Sequence, residues 1–93
     1  MNVRWTAAAL DDLAAIVAYY LEAASPWTAE VVRQRILAAI IDLRDFPERA
    51  RRSERVPGAR ELMVPRLPYL VFARIAENDL IILSVVHTAR RFP

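Results

Sequence analysis

The 93-residue chain has no cysteine and no lysine, and only one glycine and one histidine. Without cysteine there is no disulfide and no thiolate metal ligand. One histidine then leaves a structural zinc site without its ligand set, so no metal and no cofactor are expected. Without lysine, any mechanism that needs a lysine general base is excluded. All 13 basic residues are arginines, permanent planar cations whose forks suit phosphate or carboxylate. No apolar run approaches the roughly 18 residues that span a bilayer. The start, MNVRWTAAALDD, lacks the order of basic region, apolar region and cleavage site of a signal peptide. A cytoplasmic protein is expected.

What is present is an apolar chain with uneven charge. Apolar residues make up 56% and charged residues 26%, a globular composition, and the length suits one domain, residues 1–93. Residues 1–43 carry three arginines and five acids, and residues 44–74 carry eight arginines (44, 49, 51, 52, 55, 60, 66, 74) against four acids. The basic potential belongs to the middle of the chain and suits an anionic partner, nucleic acid or an acidic protein segment; a solvated charged loop is the plainer reading.

Periodicity divides the chain further. NVRW, residues 2–5, suits a short strand. Thr6 is a candidate N-cap. Leu10, Leu13, Val17, Tyr20, Leu21 and Ala24 then recur at helical spacing over about 7–23. Ser25-Pro26 caps and starts a second helix, about 26–45, with a stripe of Val32, Ile36, Ala39, Ile40 and Leu43. Leu37 and Ile41 add a second row that widens the buried face. The short connection implies an antiparallel helical hairpin. Residues 47–58, PERARRSERVPG, are expected to be a polar loop ending at Gly58. Beyond it the period becomes two. Strands are predicted over 59–64, 68–76 and 80–87, with the ENDL turn between the last two placing its unusual backbone angles at Asn78-Asp79. The last strand is apolar on both faces and should be central. The order β-α-α-β-β-β predicts an α+β domain: a short strand and a helical hairpin packed on a small antiparallel sheet.

Five stretches carry a resemblance to a known family: DLAAIVAYY, RQRILAAIIDLRDFP, PGARELMV, LPYLVF and IILSVVHTARRFP. Together they resemble the RelE/ParE toxin superfamily over nearly the whole chain. G-x-R-E-L, L-P-Y and V-x-H-x-A-R are similar to the ParE branch. The resemblance implies a toxin of a bacterial toxin–antitoxin pair, neutralised by the C-terminal segment of a cognate antitoxin. It implies one of two targets. RelE-like members cut messenger RNA on the ribosome, and ParE-like members inhibit DNA gyrase and trap it on cleaved DNA. Fold cannot choose between them.

The residues favour gyrase. RNA cleavage through the 2′-hydroxyl needs a base, an acid and cations for the phosphate. RelE-like cutters that lack histidine rely on lysine and arginine with a C-terminal tyrosine. This chain has no lysine and no tyrosine beyond Tyr69, and places Phe92 in its tail. A substitute set would be Glu61, Arg66, Arg74, His87 and Arg90, with His87 titrating in the useful range. Each also has a structural reading: Glu61 on the solvent face or paired with Arg60 or the first helix, Arg74 in a salt bridge, His87 hydrogen-bonded at a strand end. For a gyrase inhibitor the docking candidates are Arg60, Arg66, Arg90, Arg91 and Phe92. For the antitoxin they are Leu37, Ile41, Tyr19 and Arg33, because the second helix carries more apolar surface than one sheet face needs. Trp5 is expected to pack on the first helix, Trp27 to cover the hairpin end, and Tyr69 to hydrogen-bond within the sheet. A third reading is a non-toxic module that only binds its antitoxin.

Overall fold

In the computed structural model, which describes residues 1–89, Thr6 and Ser25 start the two helices as their sequence suggests. The Thr6 hydroxyl accepts from the Ala9 N–H at 3.1 Å and the Ser25 hydroxyl from the Thr28 N–H at 3.1 Å, caps worth about 1 kcal/mol each. Strand β1 covers Asn2–Trp5, helix α1 Ala7–Ala23 and helix α2 Pro26–Asp45. A 3-10 turn at Pro47–Arg49 leads into β2, Arg51–Arg52. Strands β3 (Arg60–Met63), β4 (Tyr69–Ala76) and β5 (Asp79–His87) complete a five-stranded sheet in the order β1-β5-β4-β3-β2.

Two features depart from the sequence reading. The sheet is mixed, because β1 runs parallel to β5 with Asn2 beside Asp79 and Trp5 beside Ile82. The whole segment from α1 to β4 lies between these two strands in the chain and supplies the long connection that a parallel neighbour requires. The region expected to be a polar loop also contains β2, which pairs antiparallel with β3 through Arg51–Glu61 and Arg52–Arg60. Two arginines in a row carry no strand signal; the pairing is made by the partner strand. β5 is central, between β1 and β4.

One sheet face is covered by the helices. Val32, Ile36, Ala39, Ile40 and Leu43 of α2 pack in one cluster with Val71, Ala73, Leu80, Ile82 and Val85 of the sheet. On α1 the buried positions are Ala9 and Ile16, with Leu13, Trp5 and Tyr20 partly buried against the cluster. Leu10 and Leu21, assigned to the buried stripe by spacing, are about half exposed. Leu70, Phe72 and Val86 form a second cluster with Val56 and Leu83. Residues alternate across a strand, so this cluster lies on the opposite face.

A bulge joins the layers. Phe72 pairs with Ser84 but Ala73 pairs with Ile82, leaving Leu83 extra in β5. There the Thr6 hydroxyl donates to the carbonyls of Ile82 and Leu83, both at 3.0 Å, and the Val85 N–H donates to Asp12 at 2.9 Å. The start of α1 is thus bolted to the irregular point of the sheet. In the β4–β5 hairpin the positive φ falls on Glu77, at 56°, not on Asn78 or Asp79. Ala76 pairs with Asp79, so Glu77 is the first residue of a two-residue turn, where a type II′ turn requires that angle.

Candidate functional site

Strand register decides which of the candidate side chains can meet. Glu61 pairs with Phe72, and Tyr69 pairs with His87. Tyr69 belongs to the cluster beneath the helices and Phe72 to the opposite one. Glu61 and His87 therefore project from opposite faces of the sheet. Arg74 follows Phe72 by two residues and shares the face of Glu61. Arg66 lies in the β3–β4 turn with a positive φ of 64°, and shares a groove with Arg35, Ala38 and Asp42 of α2. Arg90, Arg91 and Phe92 lie outside the described residues. Among the described residues no base, acid and cation set converges.

Glu61 is 4% exposed, neither on the solvent face nor paired with Arg60 or α1. One carboxylate oxygen accepts from Arg51 Nε at 3.0 Å and Nη2 at 2.6 Å, and the other from the Ser53 hydroxyl at 2.9 Å. Burial by itself would raise the Glu61 pKa. The hydrogen bonds from Arg51 and Ser53, with the charges of Arg51 and Arg55, outweigh it and hold the carboxyl below its ordinary range. Ser53 in turn accepts from the N–H groups of Arg55 and Val56 at 3.2 and 3.0 Å. The carboxylate is thus spent on fastening β2 and the turn after it. The sequence signal was R-x-S at 51–53, eight and ten residues before a strand glutamate, and it is legible only once the register is known.

His87 is exposed at the end of β5. Its Nδ1 accepts from the Ala89 N–H at 3.0 Å, and its ring stands edge-on to Tyr69 with centroids 5.4 Å apart. The Tyr69 side chain does not hydrogen-bond within the sheet. Its hydroxyl donates across to Tyr20 of α1 at 3.4 Å, and burial, the bond to Tyr20 and the neighbouring tyrosines push its pKa up. Tyr19 stands outward, 61% exposed and edge-on to Tyr20.

On α2, Arg33, Leu37 and Ile41 follow one another at four-residue spacing and so share a side of the helix. Leu37 is half-buried and Ile41 is 49% exposed, so Ile41 adds to the surface, not to the buried face. Arg33 holds Glu30 through two bonds of 3.0 and 2.8 Å. With Gln34 it lowers the Glu30 carboxyl to about 2. Trp27 is three-quarters exposed and covers nothing at the hairpin end; with Val31 and Ala38 it lines a shallow apolar groove.

Ten of the eleven described arginines fall into two groups. Arg4, Arg33, Arg44, Arg49 and Arg51 each pair with an acid. Arg35, Arg52, Arg60, Arg66 and Arg74 make no ion pair with a described residue. The salt bridge expected of Arg74 is absent among them.

The described residues thus form a two-layer α+β domain with a cationic sheet margin and, among themselves, no assembled acid–base set. The family model for the ParE toxin of type II toxin–antitoxin systems, parDE, matches residues 3–92, and the chain belongs to that family. It is 36% identical over 92 residues to Y4kP of Sinorhizobium fredii (strain NBRC 101917 / NGR234), a protein that bears the name of a toxin, covering 99% of this chain and 93% of that one. A solved structure of a chromosomal ParDE TA system from P. aeruginosa superposes with a TM-score of 0.85 at 30% identity, covering 94% of this chain and 95% of the other. The chain is thus a ParE-type toxin of a toxin–antitoxin system.

Proposed function

We propose that this toxin inhibits DNA gyrase without chemistry of its own and is neutralised by direct binding of a cognate antitoxin. The observation that carries the first part is the separation of Glu61 and His87 onto opposite sheet faces, with Glu61 held in an ion pair. Proton transfer at one reacting group needs its acid and base within hydrogen-bond reach; a protein that poisons another enzyme needs only a docking surface. Arg60, Arg66, Arg90, Arg91 and Phe92 are the residues proposed for that surface. The antitoxin reading rests on the row Arg33, Leu37 and Ile41 with exposed Tyr19: an apolar ridge flanked by a cation, which suits an amphipathic segment with acidic margins. The solved relative belongs to a ParDE system, which favours the same kind of partner here. The chain then acts as one domain in the cytoplasm, where gyrase works.

The test is incubation of the purified toxin with gyrase and supercoiled plasmid. Accumulation of linear, protein-linked DNA is the expected result. Growth arrest without gyrase inhibition, abolished by His87→Ala, would instead establish a ribosome-dependent ribonuclease. Harmless expression without the antitoxin would reduce the chain to a pairing module.

A further inference from the structure

Helix α2 has a second face. Its buried residues are Ala29, Val32, Ile36, Ala39, Ile40 and Leu43. At about 3.6 residues per turn, positions 27, 31, 34, 38, 41 and 45 fall on the opposite side, within about 80° of one another. They are Trp27, Val31, Gln34, Ala38, Ile41 and Asp45, at spacings of four, three, four, three and four. That is the seam of a heptad repeat, the pattern by which one helix packs along another. Val31 is half-buried and the other five are exposed, so no described element covers the seam. Trp27, Val31, Gln34 and Ala38 line one shallow groove. Glu30, Leu37 and Arg44 flank the seam on one side, and Thr28, Arg35 and Asp42 on the other, each set at seven-residue spacing.

We infer that this seam docks on the same seam of a second copy of the chain, with the two α2 helices antiparallel about a two-fold axis. Such a contact is self-complementary and closes at two copies. Full overlap of the helices sets Trp27 against Asp45 of the second copy, Val31 against Ile41, and Gln34 against Ala38. The indole N–H gains a carboxylate acceptor, two apolar side chains meet, and Gln34 lies over a small residue. In an antiparallel pair each flank meets the same flank of the other helix. Glu30 then meets Arg44 at two symmetric places, and Leu37 meets Leu37 at the axis. Glu30 already accepts from Arg33 and Gln34, and Arg44 bonds Asp45 through Nε at 3.1 Å. A carboxylate has further lone pairs and a guanidinium further N–H groups, so both retain capacity for the new pair. On the other flank Arg35 meets Arg35, a like pair that costs affinity. A parallel pair would set Asp45 against Asp45 inside the seam, a buried like pair that costs more. The antitoxin reading also uses Leu37 and Ile41, so a second copy and an antitoxin exclude each other there. Self-association is measured without antitoxin, and its failure leaves that reading standing.

The experiment is sedimentation velocity of the purified full chain over a concentration series. A monomer–dimer equilibrium with a micromolar dissociation constant is expected for one helix pair. Trp27→Ala, at a three-quarters exposed site, should weaken the dimer about tenfold or more and leave thermal melting nearly unchanged. Glu30→Arg sets like charges opposite each other twice and should weaken the dimer about tenfold. Glu30→Arg/Arg44→Glu should restore it, a rescue that lost helix stability cannot imitate. Glu30→Arg/Arg35→Glu should not, because those two positions meet only in a parallel pair. Melting curves establish that each variant is folded. Rescue by Arg35→Glu in place of Arg44→Glu would establish a parallel pair and overturn the arrangement. A chain that stays monomeric at every concentration would overturn the proposal. So would a dimer that Trp27→Ala and Glu30→Arg leave intact, because its contact lies elsewhere.

Discussion

Glu61 is buried, charged and satisfied by two partners, so its protonation has a defined effect on stability. Its pKa in the folded chain is depressed. The stabilisation is therefore fully present above the unfolded value of about 4.3 and is lost as pH falls through the folded one. Glu61→Gln is expected to cost about 1.5–3 kcal/mol at neutral pH, the range for a charge-assisted hydrogen bond. It should also flatten the acid limb of stability. Urea midpoints between pH 2 and 7 check this: the two curves should converge at the acid end, and parallel curves would contradict the assignment. Tyr69 gives the alkaline counterpart. Its raised pKa means the folded state keeps a proton that the unfolded chain releases near pH 10. Stability is present below that pH and lost as pH rises through the folded value. Tyr69→Phe keeps the ring, gives up one long hydrogen bond of 3.4 Å, and should abolish the loss of melting temperature above about pH 10.

At the scale of elements, the contact that places α1 is polar. Asp12 accepts the Val85 N–H beside the bulge, and Val85 is buried. Asp12→Ala would leave that N–H without a partner, at about 1–3 kcal/mol. For a domain of this size each kcal/mol moves the melting temperature by about 4–8 °C. Asp12→Asn retains an acceptor and should recover most of the loss in the same melting experiment. Equal losses in both variants would place the effect in the charge. The same elements mark where the sequence was readable. The bounds of both helices follow from Thr6, Ser25, Pro26 and the 3.6-residue period, all of which act within a few residues. The faces of α1 were less legible. Apolar residues occur on more than one side of it, and spacing alone placed Leu10 and Leu21 inward where the packed helix buries Ala9 and Ile16. β2 was illegible, because two arginines become a strand only beside β3.

Across the whole molecule, the large apolar side chains left at the surface include Leu10, Tyr19 and Leu21 of α1 and Trp27 and Ile41 of α2. Such residues scattered singly are ordinary; on two neighbouring helices they suit a partner. Ile41→Ala, at a half-exposed site, should change stability by less than about 1 kcal/mol, while Leu37→Ala should cost more. Both should weaken the complex with the cognate antitoxin, and Ile41→Ala should do so out of proportion to its effect on melting. Titration calorimetry beside thermal melts separates the two. Unchanged affinity with Ile41→Ala would move the antitoxin site off this side of α2.

The local sequence determined where the helices begin and end, that β3, β4 and β5 follow them, and that β5 is not an edge strand. Caps, prolines and side-chain period act between near neighbours, so these features need no knowledge of the rest of the chain. The resemblance of the motifs reached the toxin family in the same way. Only the tertiary structure decided that Glu61 is consumed by Arg51 and Ser53 and that it and His87 face apart. Those relations depend on register between strands and on a single bulge in β5. A shift of one residue would turn each side chain to the other face. The charge count gives 13 basic residues against 11 acids, and only the folded structure decides which of them pair.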